Sequence, residues 1–172
     1  MCDSGNNRIL RLDTDLKVTG CYTGFTGSTE ISVGEDGRST FLNPNGIYVK
    51  KSIFDDKLYV YIADTDNSRA VKCTVESGTE MTLVQEYTKP DTKLYDSETF
   101  NPSKILADKA ENIYVVCKSV NTGSVQFNKD GEFQGFYGAN RVEVTAAVVA
   151  QKLWRKIASN EQDLSNDKKR SS

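Results

Sequence analysis

The sequence predicts an all-β chain built from repeated units of four short antiparallel strands, followed by one C-terminal α-helix. Three observations carry this prediction. A polar motif occurs twice, short segments rich in β-forming residues alternate with turn residues, and helical spacing of apolar residues starts only after Arg141. The length of 172 residues fits one domain of ordinary size.

The motif is an eleven-residue segment with Asp, Asn and Arg at fixed spacing. It reads CDSGNNRILRL at residues 2–12 and ADTDNSRAVKC at residues 63–73. Its polar residues are Asp3, Asn6 and Arg8 in the first copy and Asp64, Asn67 and Arg69 in the second. A degenerate third copy, CKSVNTGSVQF, covers residues 117–127. Aligned without gaps, it has Lys118 in place of the aspartate and Gly123 in place of the arginine.

The repetition itself indicates what these residues do. A catalytic residue is needed once in a site, whereas a scaffold residue is needed once in every repeat. Asp and Asn side chains stabilise tight turns through hydrogen bonds to nearby backbone groups. An arginine just after the turn can reach its own aspartate or the carbonyl groups of the adjacent unit. We therefore predict a turn at 64–68 and a structural role for both copies.

Two other segments repeat and complete the unit. NPNGIYV at 43–49 matches NPSKILA at 101–107, and LDTDLKVTGCYTG at 12–24 matches FNKDGEFQGFYGA at 127–139. The run LYVYIA at 58–63 is continuously apolar, as expected of a strand that is buried on both faces. The predicted strands of the second unit are 47–49, 58–63, 71–75 and 82–87. Those of the third unit are 105–106, 113–116, 124–127 and 133–137.

These motifs together resemble the NHL repeat, a family of β-propellers. The resemblance covers about residues 2–138 and implies about two and a half blades: a half blade at 2–24 and full blades at 43–88 and 101–138. The period of about 60 residues is long for a propeller blade, and the excess falls in loops such as 26–40 and 89–98. A propeller needs about four blades to close, so we expect a fragment of a larger protein, with open strand edges that allow self-association.

The residues after Arg141 follow a different pattern. The segment 142–158 has helical spacing of Ala146, Val149, Leu153 and Ile157 and contains no Gly or Pro. It is expected to be a helix that packs on the sheets, with an interfacial membrane helix as the alternative. The remaining residues, 159–172, are polar and predicted to be disordered.

The composition excludes several classes of catalytic and metal-binding site. The chain contains no histidine, which excludes Ser-His-Asp and Cys-His nucleophiles and His-based zinc sites on this chain. The aspartates at 13, 15, 64 and 66 lack the Gly and Glu positions of an EF-hand loop. The net charge of −2 gives no basic field for nucleic acid. We predict no catalytic residue, no metal site and no cofactor.

The cysteines and aromatic residues are interpreted through the same alignment. Cys2, Cys21, Cys73 and Cys117 replace small or apolar strand residues, with Cys2 and Cys117 both in the position of Ala63, and we expect free thiols. Eight aromatic residues are expected to fill the space between units, with sugar or base stacking as the alternative. They are Tyr48, Tyr59, Tyr61, Phe100, Tyr114, Phe127, Phe133 and Tyr137.

The function expected from the resemblance is a non-catalytic scaffold that binds a protein or glycan on its loop face, through loops such as 26–40 and 89–98. It implies a sensor or transport-associated protein, at the outer side of a bacterial membrane or in the cytoplasm, with any membrane span outside this segment. One alternative is a lactonase- or lyase-like propeller enzyme whose catalytic residues lie mostly on other blades. The other is an RNA-binding NHL propeller.

Overall fold

The chain is all-β over the part that the structure describes. This computed structural model describes residues 1–27, 38–95, 97–118, 120 and 123–138. The chain divides into Met1–Ala139 and Asn140–Ser172, and the second unit lies outside the described residues. The helix predicted at 142–158 and the polar tail at 159–172 therefore also lie outside them.

Thirteen strands and two short 3-10 turns, at Ser4–Asn6 and Thr65–Asn67, make up the described part. The first group of strands is β1 Cys2–Asp3, β2 Arg8–Leu12, β3 Val18–Tyr22, β4 Gly24–Thr26 and β5 Arg38–Thr40. The second group is β6 Pro44–Lys51, β7 Leu58–Asp64, β8 Arg69–Val75 and β9 Met81–Tyr87. The third group is β10 Pro102–Ala107, β11 Ile113–Cys117, β12 Ser124–Phe127 and β13 Phe133–Tyr137.

These strands form three sheets, here called the first, second and third sheet. The first sheet has the order β1-β2-β3, and the third has β10-β11-β12-β13. The second has six strands in the order β5-β4-β9-β8-β7-β6, and only its β4–β9 pair is parallel. The predicted antiparallel order of four consecutive strands is confirmed for β6–β9 and for β10–β13. The bounds of all eight strands predicted for the second and third units lie within three residues of the observed bounds, and those of β12 and β13 coincide with them.

The region 26–40 was predicted to be a loop, and this is wrong at both of its ends. Strands β4 and β5 pair through Gly24↔Thr40 and Thr26↔Arg38, and Thr26 also pairs with Thr82 of β9. Strands β4 and β5 thereby add two strands to the second sheet, next to β9. The three-residue strands are too short to produce a recognisable alternation in the sequence. Residues 28–37 lie outside the described residues.

Strand β7 lies in the middle of the described core. Its alternate side chains enter two separate apolar clusters. Tyr59, Tyr61 and Ala63 pack in the cluster with the third sheet, whereas Val60 and Ile62 pack in the cluster with the first sheet. The prediction that this strand is buried on both faces is therefore confirmed. Full burial of one such side chain stabilises the fold by about 1.5–3 kcal/mol.

Gly46 allows the second and third sheets to approach closely. A Cβ atom on Gly46 would lie 2.7 Å from the carbonyl oxygen of Ser103 and 2.9 Å from Cα of Lys104. Because both of these atoms belong to the backbone of β10, they cannot move aside as a flexible side chain would. The glycine of the Asn-Pro-Asn-Gly segment thus sets the spacing between strands β6 and β10.

Candidate functional site

The first copy of the Asp-Asn-Arg motif closes the turn between β1 and β2. Asp3 Oδ2 accepts a hydrogen bond from Arg8 Nε at 2.6 Å, and Asp3 Oδ1 accepts one from Asn6 Nδ2 at 2.9 Å. The hydrogen bond from Arg8, together with that from Asn6, lowers the pKa of Asp3. The left-handed residue Asn7 completes the turn, with φ of 52°. The ion pair is partly exposed, so solvent screens it.

The second copy makes the same network in a buried position. Asp64 accepts hydrogen bonds from Arg69 Nε, Asn67 Nδ2 and the Leu42 backbone N–H, each at 2.8 Å. Arg69 also donates to the carbonyl oxygen of Thr40 at 3.1 Å. Burial raises the pKa of Asp64, while the three donors oppose the shift. The predicted contact between the arginine and its own aspartate is confirmed in both copies.

Each turn also holds the start of the following unit. The Ser4 hydroxyl donates to the carbonyl oxygen of Pro44 at 2.6 Å, and the Thr65 hydroxyl donates to that of Pro102 at 2.6 Å. Ser4 and Thr65 occupy equivalent positions in the motif, and the two prolines belong to the repeated Asn-Pro segments. The two repeated motifs of the sequence therefore bond to each other across neighbouring sheets, which explains why they recur together.

The ungapped sequence alignment of the third copy is wrong by one residue in the part of the motif that precedes the turn. Pro44 pairs with Asp64, and Pro102 pairs with Cys117, so Cys117 and not Lys118 stands in the position of the aspartate. Val116, and not Cys117, corresponds to Ala63. From Asp64 to Val71 is seven residues, whereas from Cys117 to the equivalent Val125 is eight, and the additional residue lies in the turn. An insertion in a turn shifts an ungapped alignment on only one of its sides.

The structure contains a buried ion pair between the second and third sheets that the sequence did not predict. Lys72 Nζ lies 3.0 Å from Glu111 Oε2 and 3.9 Å from the centroid of the Tyr59 ring. Burial alone would raise the pKa of Glu111, but interactions with Ser52 and Lys72 outweigh it and lower the pKa. Glu111 adopts φ of 62°, in the left-handed region that glycine and asparagine favour. A glutamate in this strained position, buried against a lysine, links the two sheets electrostatically.

The four cysteines are free thiols, and they fall into two classes of burial. Cys73 and Cys117 are buried, whereas Cys2 and Cys21 are partly accessible. Burial raises the pKa of the Cys117 thiol to about 12 and that of Cys73 further, so neither forms a thiolate at neutral pH. These buried side chains behave as small apolar residues of the core.

The aromatic residues divide between the core and one open surface. Tyr59, Tyr61, Phe100 and Phe127 are buried between the second and third sheets, where Tyr48 and Phe133 pack against them. Tyr114 and Tyr137 instead lie on the other face of the third sheet, with their ring centroids 5.0 Å apart. The prediction that aromatic residues fill the space between units is thus confirmed for six of the eight.

The open face of the third sheet is the strongest candidate for a binding surface. It borders a groove of about 960 Å³. Leu106, Val116 and Tyr137 are exposed there, and Tyr114 lies between them. Cross-strand pairing places these side chains on one face, since Leu106 pairs with Tyr114. Contiguous apolar side chains in an exposed position mark interaction surfaces.

The loop at 89–98 was predicted to be a contact candidate, and one residue anchors it to the core. Tyr95 is buried, stacks on Phe136 at 6.2 Å between centroids and donates to the Thr99 carbonyl oxygen at 2.9 Å. Leu94, its neighbour, is exposed. The loop therefore has a fixed base and presents one apolar side chain to solvent.

Among the residues that the structure describes, no three His, Cys, Asp or Glu side chains come together as metal ligands would. No helix within the same residues is long and apolar enough to span a membrane. No protein-family model matches the chain, and no curated protein matches it either.

Proposed function

We propose that this chain is a non-catalytic β-propeller-type scaffold of NHL-like repeats that binds a protein partner through the open face of its third sheet. One observation carries the proposal. The open face consists of the positions that, one unit earlier, form the covered face of the second sheet. A surface that repeats an interface position by position is suited to contact another β-sheet.

The strand pairing establishes the correspondence. Pro44 and Pro102 align the two units, and each later pair follows in register. The covered positions are Tyr48, Tyr61, Ala63, Ala70 and Tyr87. Their open equivalents are Leu106, Tyr114, Val116, Ser124 and Tyr137. Tyr61, Ala63, Ala70 and Tyr87 are buried by the third sheet. Of the open positions, Leu106, Val116 and Tyr137 are exposed.

The chemistry of the face defines the partner. Aliphatic and aromatic side chains on a pleated surface fit a second sheet, whose alternate side chains pack between them. The partner is therefore a protein with an apolar sheet face and not a small polar ligand. A second molecule of this chain presents the same kind of face and is the most accessible such partner. The wider setting implied by the resemblance, a sensor or transport-associated protein, stays a prediction.

The experiment compares two leucines of similar exposure. Leu106 is 47% exposed on the open face, and Leu42 is 44% exposed in the connection before β6. Sedimentation velocity across a concentration series should show association of the wild type and of Leu42→Glu, and loss of association in Leu106→Glu. Equal behaviour of the two variants, or a wild type that stays monomeric throughout, would refute the role of this face.

A second measurement addresses the absence of catalysis. Lactone and ester substrates with added divalent metal ions should show no turnover above the uncatalysed rate. Metal-dependent turnover that a single Asp→Ala substitution abolishes would overturn the scaffold proposal in favour of an enzyme.

A further inference from the structure

The turn between β6 and β7 exposes two large apolar side chains at adjacent positions. Ile53 is 70% exposed and Phe54 is 64% exposed. Neither lines the groove on the open face of the third sheet. Aromatic side chains are enriched at the centre of protein interfaces. An exposed phenylalanine beside an exposed isoleucine therefore indicates a contact surface at this turn.

The exposure follows from an extension of the β6–β7 hairpin. The last residue pair of β10 and β11 is Ala107↔Ile113, which corresponds to Val49↔Val60 in the second sheet. Strands β6 and β7 continue for two further residue pairs, which lengthens their hairpin by about 7 Å. The turn at 52–57 therefore projects past the equivalent turn of the third sheet.

Hydrogen bonds fix the backbone of this turn. Ser52 Oγ accepts a hydrogen bond from the Phe54 N–H at 3.1 Å, and the Ser52 N–H donates to the Lys57 carbonyl oxygen at 2.8 Å. Asp55 accepts from the Lys57 N–H at 3.2 Å and from the Tyr59 hydroxyl at 2.5 Å. Tyr59 is itself buried against the third sheet. A contact residue on such a preorganised turn loses little conformational entropy on binding.

Five turns lie at this end of the sheets. They are the connections 13–17, 52–57, 76–80, 108–112 and 128–132. Successive turns between antiparallel strands alternate between the two ends of a sheet, so these five lie opposite the motif turns at 4–7 and 65–68. Lys50 Nζ donates a hydrogen bond to the Asp108 carbonyl oxygen, which brings the 108–112 turn next to the projecting hairpin.

The same five turns concentrate negative charge. Each contains two carboxylates, so together they contain ten, against four lysines. The carboxylates are at positions 13, 15, 55, 56, 76, 80, 108, 111, 130 and 132, and the lysines are at positions 17, 57, 109 and 129. Strand lysines neutralise Asp56 and Glu111, and a surplus of negative charge is left. The turns at 4–7 and 65–68 contain a single carboxylate and no lysine.

We propose that this acidic end of the sheets binds a basic amphipathic segment of a partner protein. Ile53 and Phe54 contact the apolar side chains of that segment, and the carboxylates of the surrounding turns attract its lysine and arginine side chains. An amphipathic helix presents apolar and charged side chains in this combination. Charge complementarity orients the contact and speeds association. The same carboxylates repel an anionic membrane surface, and the contact is separate from the one proposed for the third sheet.

The test uses a labelled model helix, LKKLLKLLKKLLKL, and two control peptides. LEELLELLEELLEL reverses the charge, whereas SKKSSKSSKKSSKS keeps the charge and has no apolar side chain. Fluorescence anisotropy should show saturable binding of the model helix to the full chain, and roughly tenfold weaker binding of either control. Binding should also weaken as the salt concentration rises, because salt screens the charges. Equal binding of the model helix and of either control would overturn the proposal.

Two matched substitutions locate the contact. Ile53 and Leu94 are both 70% exposed, but Leu94 lies in the connection between β9 and β10, at the opposite end of the sheets. Ile53→Ser and Phe54→Ser should each weaken binding of the model helix roughly tenfold, whereas Leu94→Ser should bind it as the wild type does. Equal effects of Ile53→Ser and Leu94→Ser would refute a contact at the β6–β7 turn.

Vesicles test a membrane as the other class of partner. In cosedimentation with vesicles of phosphatidylcholine and phosphatidylserine, the chain should stay in the supernatant. Sedimentation with these vesicles that Phe54→Ser abolishes would overturn the proposal in favour of a turn that inserts into membranes.

Discussion

Replacing Asp64 by alanine should destabilise the chain far more than the same change at Asp3, although both aspartates hold the same place in the repeated motif. The difference arises from burial. Asp64 and its partner Arg69 have essentially no exposed side-chain surface, whereas Arg8 and Asp3 are partly exposed. An exposed guanidinium that loses its carboxylate is solvated by water, but a buried one is not.

The size of the effect at Asp64 follows from the groups that are left behind. Removing the carboxylate takes the charge partner from a buried arginine and the acceptor from the Leu42 N–H and from Asn67. The second ion-pair contact of Arg69, to Glu86, is long at 3.6 Å, and its contact with the Phe25 ring is 4.8 Å to the centroid. Neither replaces a direct hydrogen bond. Loss of one partner of a buried pair costs about 3–5 kcal/mol.

Urea unfolding followed by far-UV circular dichroism measures the difference. We expect a large fall in the midpoint for Asp64→Ala at an unchanged slope, and a much smaller fall for Asp3→Ala. Asp64→Asn, which keeps an acceptor oxygen, should lie between the wild type and Asp64→Ala. A similar loss at Asp3 and Asp64, or a loss below about 1 kcal/mol at Asp64, would show that the network does not stabilise the fold as described.

Three further predictions address other parts of the described structure. Thr65→Val should lower the free energy of unfolding by about 1 kcal/mol, and Thr65→Ser should restore it, as measured in the same urea assay. Glu111→Gln should cost about 3 kcal/mol at neutral pH by leaving Lys72 buried without its partner. Because the folded-state pKa of Glu111 is lowered, that difference should be complete above the ordinary glutamate pKa of about 4.3 and should be lost only as pH falls through the lower folded-state pKa, in urea titrations across pH. A thiol reagent such as DTNB should label Cys73 and Cys117 only after unfolding, and equal rates for all four thiols would contradict their burial.

The strands could be predicted because their signal is local. Apolar runs and two-residue alternation identify a strand from its own residues, and the Asp-Asn-Arg turn bonds within five positions of sequence. The run at 58–63 and the turn after Asp64 are examples. Their hydrogen bonds could be expected because a short polar side chain next to a turn has few other partners.

The Lys72–Glu111 pair could not be predicted in this way. The two residues are 39 positions apart, and each has an ordinary local context: Lys72 alternates with apolar residues, and Glu111 lies in a polar turn. Only the packing of one sheet on the next brings them together. The alternation at Lys72 does carry a partial signal, since it places the lysine on the face opposite Val71 and Cys73. The third sheet covers that face, where Tyr61 and Ala70 also pack.

The open face of the third sheet is identified by a comparison between units, and the comparison also shows where the units differ. At the position of Gly46, the open face has Lys104. A Cβ atom at Gly46 would approach the backbone of β10 to 2.7 Å, so the Cβ of Lys104 keeps an equivalent strand of a second molecule at a greater distance. The open face should consequently bind another copy of this chain more weakly than the second sheet binds the third.

This difference between Gly46 and Lys104 predicts a substitution that strengthens self-association instead of weakening it. Lys104→Gly removes the obstructing Cβ and should strengthen self-association. In sedimentation velocity, association should then begin at a lower protein concentration than in the wild type. Lys104→Ala removes the charge and the long side chain but keeps the Cβ, so it separates steric obstruction from charge repulsion. If Ala strengthens association as much as Gly does, the charge and not the Cβ limits the contact. If neither variant associates more strongly than the wild type, the second molecule does not pack on the third sheet as the third sheet packs on the second.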